Sequence, residues 1–143
     1  MTILIAVDLS AASQKSLDAV RAILPRDGLK VIIVHVAEPD PGFVGWEAGP
    51  DVVRDQVATG FRRERHEVEQ MGAQLRDDGI DAVALTVQGP TVDTILAEAE
   101  RLHAGLIVVG SHGHGAAYDL AGGSTSAGII RKASVPVLVV PDR

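Results

Sequence analysis

The sequence predicts an α/β protein with one open, mainly parallel sheet of five strands and helices on both faces. Two observations lead to this fold class. Five short runs rich in Val, Ile and Leu alternate with longer stretches of helical periodicity along the 143 residues. The runs are continuously apolar rather than alternating, which is typical of strands covered on both faces. Strands and helices that alternate in this order are joined by right-handed crossovers and lie parallel.

The five apolar runs give the strands in chain order. They are residues 3–7, 31–34, 82–87, 106–109 and 137–140. Pro136 precedes the last run, and because proline cannot donate to a central ladder we expect this strand at an edge of the sheet. Unprotected apolar edges tend to pair with another chain. We therefore predict a homodimer through the last strand, formed by Val137, Leu138, Val139 and Val140.

The first helix lies between the first two strands. Its predicted apolar face consists of Leu17, Val20, Ile23 and Leu24. We expect Ser10 or Ser13 to cap its N-terminus and Pro25 to end it.

The second helix is predicted over residues 51–76, with Gly79 as its C-terminal stop. A thin apolar stripe runs along it, formed by Val57, Phe61, Val68 and Leu75. We interpret its charged cluster as a solvated face rather than a binding patch; the cluster comprises Arg62, Arg63, Glu64, Arg65, Glu67 and Glu69. The preceding residues 37–50 are rich in proline and glycine and predict a mobile loop.

The third helix has the clearest periodicity in the chain. Its apolar positions, spaced for one helical face, are Val92, Ile95, Leu96, Ala99 and Leu102. A shorter fourth helix is predicted from about Ser124 to Lys132.

The composition fits one globular domain spanning residues 1–143. Hydrophobic residues make up 46% and charged residues 22%, which is far from the signature of disorder. A net charge of −6 without a long basic run argues against nucleic-acid binding. The absence of cysteine excludes disulfides and thiol catalysis. No apolar run is long enough to span a membrane, and the first one stops at Asp8, so we expect a cytoplasmic protein.

The candidate site lies at the carboxyl ends of the strands, where ligands gather in open parallel sheets. Asp8 ends the first strand and Gly110 the fourth, and we expect these two strands to be neighbours. Two glycine-rich segments follow, residues 110–115 and 122–126, and lead into the last helix. Glycines admit a bulky anion, and a helix N-terminus offers free N–H groups, so this segment predicts a phosphate-binding loop. The alternative is a flexible loop with an ordinary serine N-cap.

The spacing Gly110, two residues, Gly113, nine residues, Gly123, Ser124 resembles the G-x2-G-x9-G-[ST] signature of the ATP-binding branch of the universal stress protein family. The resemblance extends over nearly the whole chain. Residues 3–10 resemble the family's first strand with its aspartate, residues 34–36 its second strand, residues 89–90 the entry to its third helix, and residues 134–140 its closing strand.

This resemblance implies a Rossmann-like, adenine nucleotide alpha hydrolase-like sheet that binds an adenine nucleotide, and it implies antiparallel pairing of the last strand across a two-fold axis. We expect ATP, with Mg²⁺, as the ligand. The nucleotide-binding residues would be Ala6, Val7, Asp8, Val36, Val109, Gly110, His112, Gly113, His114, Gly123, Ser124, Thr125 and Ser126. Within this set, Asp8 would contact the ribose or the adenine edge, and Val36 would pack beside the base. The glycines, Ser124 and Thr125 would surround the phosphates.

Four positions of the loop depart from the family pattern, two of them Ala121 and Gly122, where members usually carry leucines before the last glycine. Members commonly carry basic residues where this chain has His114 and Asp119. The chain therefore offers less positive charge to a triphosphate. For Asp8, a role as a helix or loop cap is the alternative to ligand contact.

Three functions remain open at this point: a nucleotide-binding signalling switch, a nucleotide-free interaction protein of the same fold, and an enzyme such as a slow ATP hydrolase or nucleotidyl transferase. The signature favours the first. Because no lysine or arginine lies between Gly110 and Ile130, we expect any hydrolysis to be slow, with His114 as the candidate residue to assist it.

The remaining histidines offer weaker hypotheses. His112 and His114, with Asp119 as a third ligand, could hold a metal ion, but two histidines on a glycine loop are better explained as residues near phosphate. His35 lies within a strand, and we interpret it as a hydrogen-bonded core histidine rather than a catalyst.

Overall fold

The computed structural model describes residues 1–37, 50–111 and 125–142. The strands are β1 (Thr2–Val7), β2 (Lys30–Ala37), β3 (Asp81–Gln88), β4 (Leu106–Gly110) and β5 (Val137–Val140). The helices are α1 (Ala11–Ile23), α2 (Pro50–Asp77), α3 (Thr91–Arg101) and α4 (Thr125–Lys132). Strands and helices follow the predicted order, and each strand lies within a few residues of its apolar run.

The five strands form one parallel sheet in the order β3-β2-β1-β4-β5. The chain moves outward from β1 to β3 and then returns to the other side of β1, so strand order reverses between β1 and β4. These two strands are neighbours, as predicted, with Ile5 paired to Val108. The reversal creates a crevice at their carboxyl ends.

The core has two layers because the sheet is covered on both faces. Ile3 and Ile5 pack with α1 and α2, while Leu4 packs with α3 and α4. All three side chains are fully buried. Burial on both faces explains why the strand sequences are continuously apolar, since each such side chain contributes about 1.5–3 kcal/mol when removed from water.

One residue of the predicted α1 face is misplaced. Leu17 and Val20 are fully buried, but Ile23 is 62% exposed in the last turn of the helix. The following Leu24 packs against the core instead. The chain leaves the helix at Leu24, whose backbone is extended, so helical spacing no longer decides which side chain faces inward.

The long second helix agrees with its prediction. Val68 and Leu75 are fully buried, and Phe61 is half-buried. The side chain of Val57 lies outside the described residues. Of the predicted loop 37–50, Ala37 instead ends β2 and Pro50 begins α2, because the flanking elements extend further than their apolar runs; residues 38–49 lie outside the described residues.

The sheet has two edges, β3 and β5. The edge position of β5 is as Pro136 predicted, and the Pro136 carbonyl accepts a hydrogen bond from Ile107 N at 3.0 Å. Each edge strand exposes one large apolar side chain to a similar degree, Val83 at 39% and Val139 at 38%. Within the described ranges, no helix has the length and apolarity needed to cross a membrane.

Candidate functional site

A crevice of about 520 Å³ opens at the carboxyl ends of β1, β2 and β4. Its size is that of a small-molecule site. The N-terminal parts of α1, α3 and α4 and one side of α2 form its walls. It therefore lies where the reversal of strand order predicts a ligand.

Asp8 organises the wall formed by α1. Its Oδ1 accepts three hydrogen bonds, from Ser10 N at 3.0 Å, Ser10 Oγ at 2.6 Å and Ser13 Oγ at 3.1 Å. Ser13 Oγ also accepts from Asp8 N at 3.2 Å. Asp8 thus has the capping role that was the alternative for this residue, while it also lines the crevice. Its contact with a ligand stays a prediction.

The serine predictions for the α1 cap are half right. Ser10 occupies the N-cap position, but its side chain makes no hydrogen bond to the first turn of the helix. It donates to Asp8 instead. The acceptor that stabilises this turn is therefore the carboxylate of Asp8, at the end of the preceding strand.

Leu9 follows Asp8 with a positive φ of 65°. A left-handed backbone is unfavourable for a leucine and concentrates at functional sites and tight turns. Here the Leu9 side chain packs against the α1–α2 side of the core, which compensates for the strain. The turn directs the Asp8 carboxylate toward Ser10 and Ser13.

His35, two residues before the end of β2, is buried at 8% exposure and lines the same crevice. Its Nδ1 lies 3.1 Å from the carbonyl oxygen of Val7. Its Nε2 has no hydrogen-bond partner among the described residues and lies 3.4 Å from Glu64 Oε2. The prediction of a buried, hydrogen-bonded histidine is therefore confirmed through Nδ1. A buried polar atom without a partner costs about 1–3 kcal/mol.

Two acidic residues of α2 belong to the crevice and were missed from the sequence. Glu64 and Glu67 line it, although their charged cluster was assigned wholly to a solvated face. Glu67 is exposed and Glu64 half-buried, because this side of α2 overhangs the end of β2. The neighbouring Arg62, Arg63, Arg65 and Glu69 are exposed, in agreement with the assignment. Only the packing of α2 against the sheet distinguishes Glu64 and Glu67, which line the crevice, from the other four residues of the charged cluster.

The opposite wall comes from α3 and α4. Thr91 and Ile95 of α3 face Thr125 and Ser126 of α4 around the end of β4. Ser126 Oγ donates to the carbonyl oxygen of Gly110 at 2.6 Å, which ties the start of α4 to the end of β4. The first-turn N–H groups of α4 and the positive end of its dipole lie at this wall.

Of the predicted nucleotide-binding residues, eight line the crevice together: Ala6, Val7, Asp8, Val36, Val109, Gly110, Thr125 and Ser126. The other five, His112, Gly113, His114, Gly123 and Ser124, lie outside the described residues, as does Asp119. The metal hypothesis for His112 and His114 falls on the same segment. Among the residues that the structure does describe, no group of three or more His, Cys, Asp or Glu side chains could hold a metal ion.

The described lining has an uneven charge. Asp8, Glu64 and Glu67 supply carboxylates, and no described lining residue is a lysine or arginine. All three carboxylates lie on the α1–α2 side, whereas the α3–α4 side presents hydroxyls. A bound anion is therefore better accommodated at the N-terminus of α4, and a neutral group rich in hydrogen-bond donors at the acidic side.

Comparison with known proteins identifies the relatives of this chain. A sequence model of the universal stress protein family matches residues 1–141. A protein of Thermus aquaticus, named as the universal stress protein in the QAH/OAS sulfhydrylase 3′ region, is 30% identical over 139 residues, which cover 97% of each chain. Among solved structures, MJ0577 matches with a TM-score of 0.82 at 25% identity, over 99% of this chain and 96% of that chain. Its curated name is universal stress protein MJ0577, from Methanocaldococcus jannaschii.

Proposed function

This chain belongs to the universal stress protein family, and from that membership we propose that it is an adenine-nucleotide-binding module that takes ATP and acts as a binding switch. The observation that carries the proposal is the crevice at the reversal of strand order, walled by the N-terminus of α4. The glycine signature of the sequence lies between Gly110 and that helix. Both features suit a phosphorylated ligand.

Solved structures of other universal stress proteins add support. Three are described as complexes with cAMP, dAMP and AMP, at 24%, 19% and 21% identity to this chain. Those ligands belong to those proteins. At such identities the likeness concerns the fold, but it gives a reason to test adenine nucleotides first.

The division of the crevice suggests how ATP would lie. We expect the base and ribose near Val36 and Asp8, and the phosphates near Thr125, Ser126 and the glycine segment. Since the described lining carries three carboxylates and neither lysine nor arginine, a bound Mg²⁺ would offset the charge of the triphosphate. Removing Mg²⁺ with EDTA should therefore weaken ATP binding more than AMP binding in a calorimetric titration.

Thermal denaturation with and without Mg·ATP tests the proposal. ATP at about 100 times its dissociation constant should stabilise the wild type by about 2.7 kcal/mol. Gly113→Val and Gly123→Val should lose this response, because a β-branched side chain blocks the approach of the backbone to phosphate. Gly60→Val on α2 is the matched control, since a Cβ at Gly60 meets open space. An unmoved wild-type melting curve in millimolar ATP would refute nucleotide binding.

A switch must hold its nucleotide longer than an enzyme would. We expect ATP hydrolysis well below the median enzyme turnover of about 10 per second, because the segment between Gly110 and Ile130 has no lysine or arginine to stabilise the transferring phosphate. Phosphate release by the wild type and by His114→Ala measures this. Turnover above roughly one per second that collapses in the variant would favour the alternative, an ATP hydrolase.

We further propose that the switch is a homodimer through β5. The strand is a sheet edge and consists of four apolar residues, of which Val139 is the most exposed. Val139→Arg should yield a monomer by light scattering. Val83→Arg is a matched control on the other edge, because its exposure is nearly the same, and it should leave the dimer intact. A monomeric wild type at micromolar concentration would overturn this assembly without touching nucleotide binding.

A further inference from the structure

The segment that follows β5 is tied to the carboxyl end of β4. Ser111 N donates to the carbonyl oxygen of Val140 at 2.9 Å, and Asp142 N donates to Ser111 Oγ at 3.1 Å. The backbone N–H and the hydroxyl of Ser111 are thus both bonded to the C-terminal segment. Because Ser111 follows Gly110, which lines the crevice, these bonds place Asp142 beside the mouth of the crevice.

Asp142 in turn pairs with a lysine of α1. Lys15 Nζ lies 2.8 Å from Asp142 Oδ1. The helix packs against both β4 and β5, which brings Lys15, in its second turn, to the segment after β5. A single residue, Asp142, therefore bonds to both Lys15 and Ser111. The ammonium group lies close to the start of the glycine-rich segment.

The phosphate side of the crevice has no lysine or arginine of its own. None lies in the described lining, and the sequence has none between Gly110 and Ile130. The Lys15 ammonium group is carried on a flexible four-carbon stem, and its side chain is 43% exposed. Its contact with Asp142 is an exposed ion pair, and such pairs are worth less than about fivefold in an equilibrium constant. Exchanging this carboxylate for a more highly charged phosphate group therefore costs little.

We propose that Lys15 recognises the terminal phosphate of a triphosphate, and that Asp142 holds the lysine in place until the nucleotide binds. The inference rests on the proposed nucleotide function and adds to it a reason for preferring ATP over AMP. The phosphates are expected at the junction where Ser126 Oγ bonds to Gly110, and a triphosphate extending from there toward Ser111 approaches Lys15. The single phosphate of AMP is next to the ribose, so AMP leaves Lys15 paired with Asp142.

Calorimetric titrations with Mg·ATP and AMP test this role. Lys15→Met keeps a long side chain and removes its charge, so it should weaken ATP binding about fivefold and leave AMP binding unchanged. Lys30→Met is the matched control, because Lys30 is exposed at the amino end of β2, the opposite end of the sheet. It should bind both nucleotides as the wild type does. An equal loss of ATP affinity in both variants would assign the effect to net charge and overturn the role of Lys15.

Asp142→Asn tests the holding contact, in a double-mutant cycle with Lys15→Met. The asparagine frees the lysine, so ATP binding should strengthen about twofold in the wild-type background and stay unchanged when combined with Lys15→Met. An equal gain in both backgrounds would show that the carboxylate only repels the nucleotide, and the transfer of Lys15 would be wrong.

The failure of this inference and that of the proposed function give different results. If ATP binds to Lys15→Met as tightly as to the wild type, the role of Lys15 is wrong while the proposed function stands. If no adenine nucleotide binds to the wild type, the proposed function itself fails, and the role of Lys15 fails with it.

Discussion

The two ends of the sheet are built by different means. At the amino end, the turns that lead from α1, α2 and α3 into the next strand each contain one left-handed residue: Gly28 (φ 71°), Gly79 (φ 81°) and His103 (φ 53°). Backbone hydrogen bonds close these turns, such as Ile80 N to Leu75 O at 3.0 Å. At the carboxyl end, the turn after β1 is held by the side chains of Asp8, Ser10 and Ser13.

Because of this difference, we expect the two ends of the sheet to contribute differently to stability and to nucleotide binding. Side chains assist one of the amino-end turns, since Arg21 and Arg26 donate to Asp78 after α2, but the left-handed residues of these turns do not line the crevice. A turn held by side chains places a carboxylate and hydroxyls beside the crevice, where a ligand can compete for them. We therefore expect variants of the amino end to change stability alone and variants of the carboxyl end to change both stability and the response to nucleotide.

Asp8→Ala should have the largest effect. It removes the acceptor of three hydrogen bonds at the start of α1 and should lower the free energy of unfolding by about 2 kcal/mol, as loss of a strong cap does. Asp8→Asn keeps an accepting oxygen and should lose less than half as much. Urea denaturation measures both. A loss below about 0.5 kcal/mol in Asp8→Ala would show that side chains do not hold this turn.

Gly79→Ala should come next, at the amino end. A Cβ at Gly79 meets no atom within 4 Å, so the cost is that of a left-handed backbone alone, about 1–1.5 kcal/mol. The stabilisation by Mg·ATP should match that of the wild type. If Mg·ATP stabilises Gly79→Ala less than the wild type, the amino end of the sheet also affects nucleotide binding.

Ser126→Ala should destabilise by about 1 kcal/mol, because the Gly110 carbonyl loses the hydroxyl that bonds to it at 2.6 Å. Unlike Gly79→Ala, it should also reduce the stabilisation by Mg·ATP, since it loosens α4 against β4. The exposed Ser134 provides the control variant Ser134→Ala, with neither effect expected. If Mg·ATP stabilises Ser126→Ala and the wild type equally, the start of α4 does not contribute to nucleotide binding.

Most of the fold could be predicted from the sequence because every strand has its own apolar run. The three central strands bury side chains on both faces, as Ile3, Leu4 and Ile5 do in β1. The edge strands β3 and β5 are less buried, but each still has its own apolar run, so the runs mark all five strands independently. Pro136 predicted β5 at an edge of the sheet. The expected ligand crevice at the strand ends predicted β1 beside β4. The error at Ile23 arose at a helix end, where the chain departs from helical geometry.

The site was only partly predictable. The residues at strand ends and at the start of α4 could be selected from the signature and the strand order. Glu64 could not, because its neighbours Arg63 and Arg65 are exposed and nothing in the local sequence distinguishes it from them. Its role depends on how α2 packs over His35, which is a property of tertiary structure. The unsatisfied Nε2 of His35 was hidden for the same reason.

His103→Gly should have the smallest effect and the opposite sign. His103 adopts a left-handed backbone at the C-terminus of α3, where glycine is the usual residue. Glycine removes the strain of that conformation but gains entropy in the unfolded chain, so the net stabilisation should be about 0.5 kcal/mol, or roughly 1–2 °C in Tm. His103→Ala keeps the strained φ without the ring and should give no gain. An equal gain in both variants would assign the effect to the imidazole rather than to the backbone.

Leu9→Gly, with a similar φ of 65° at the carboxyl end, should instead lose stability, because the Leu9 side chain packs against the core.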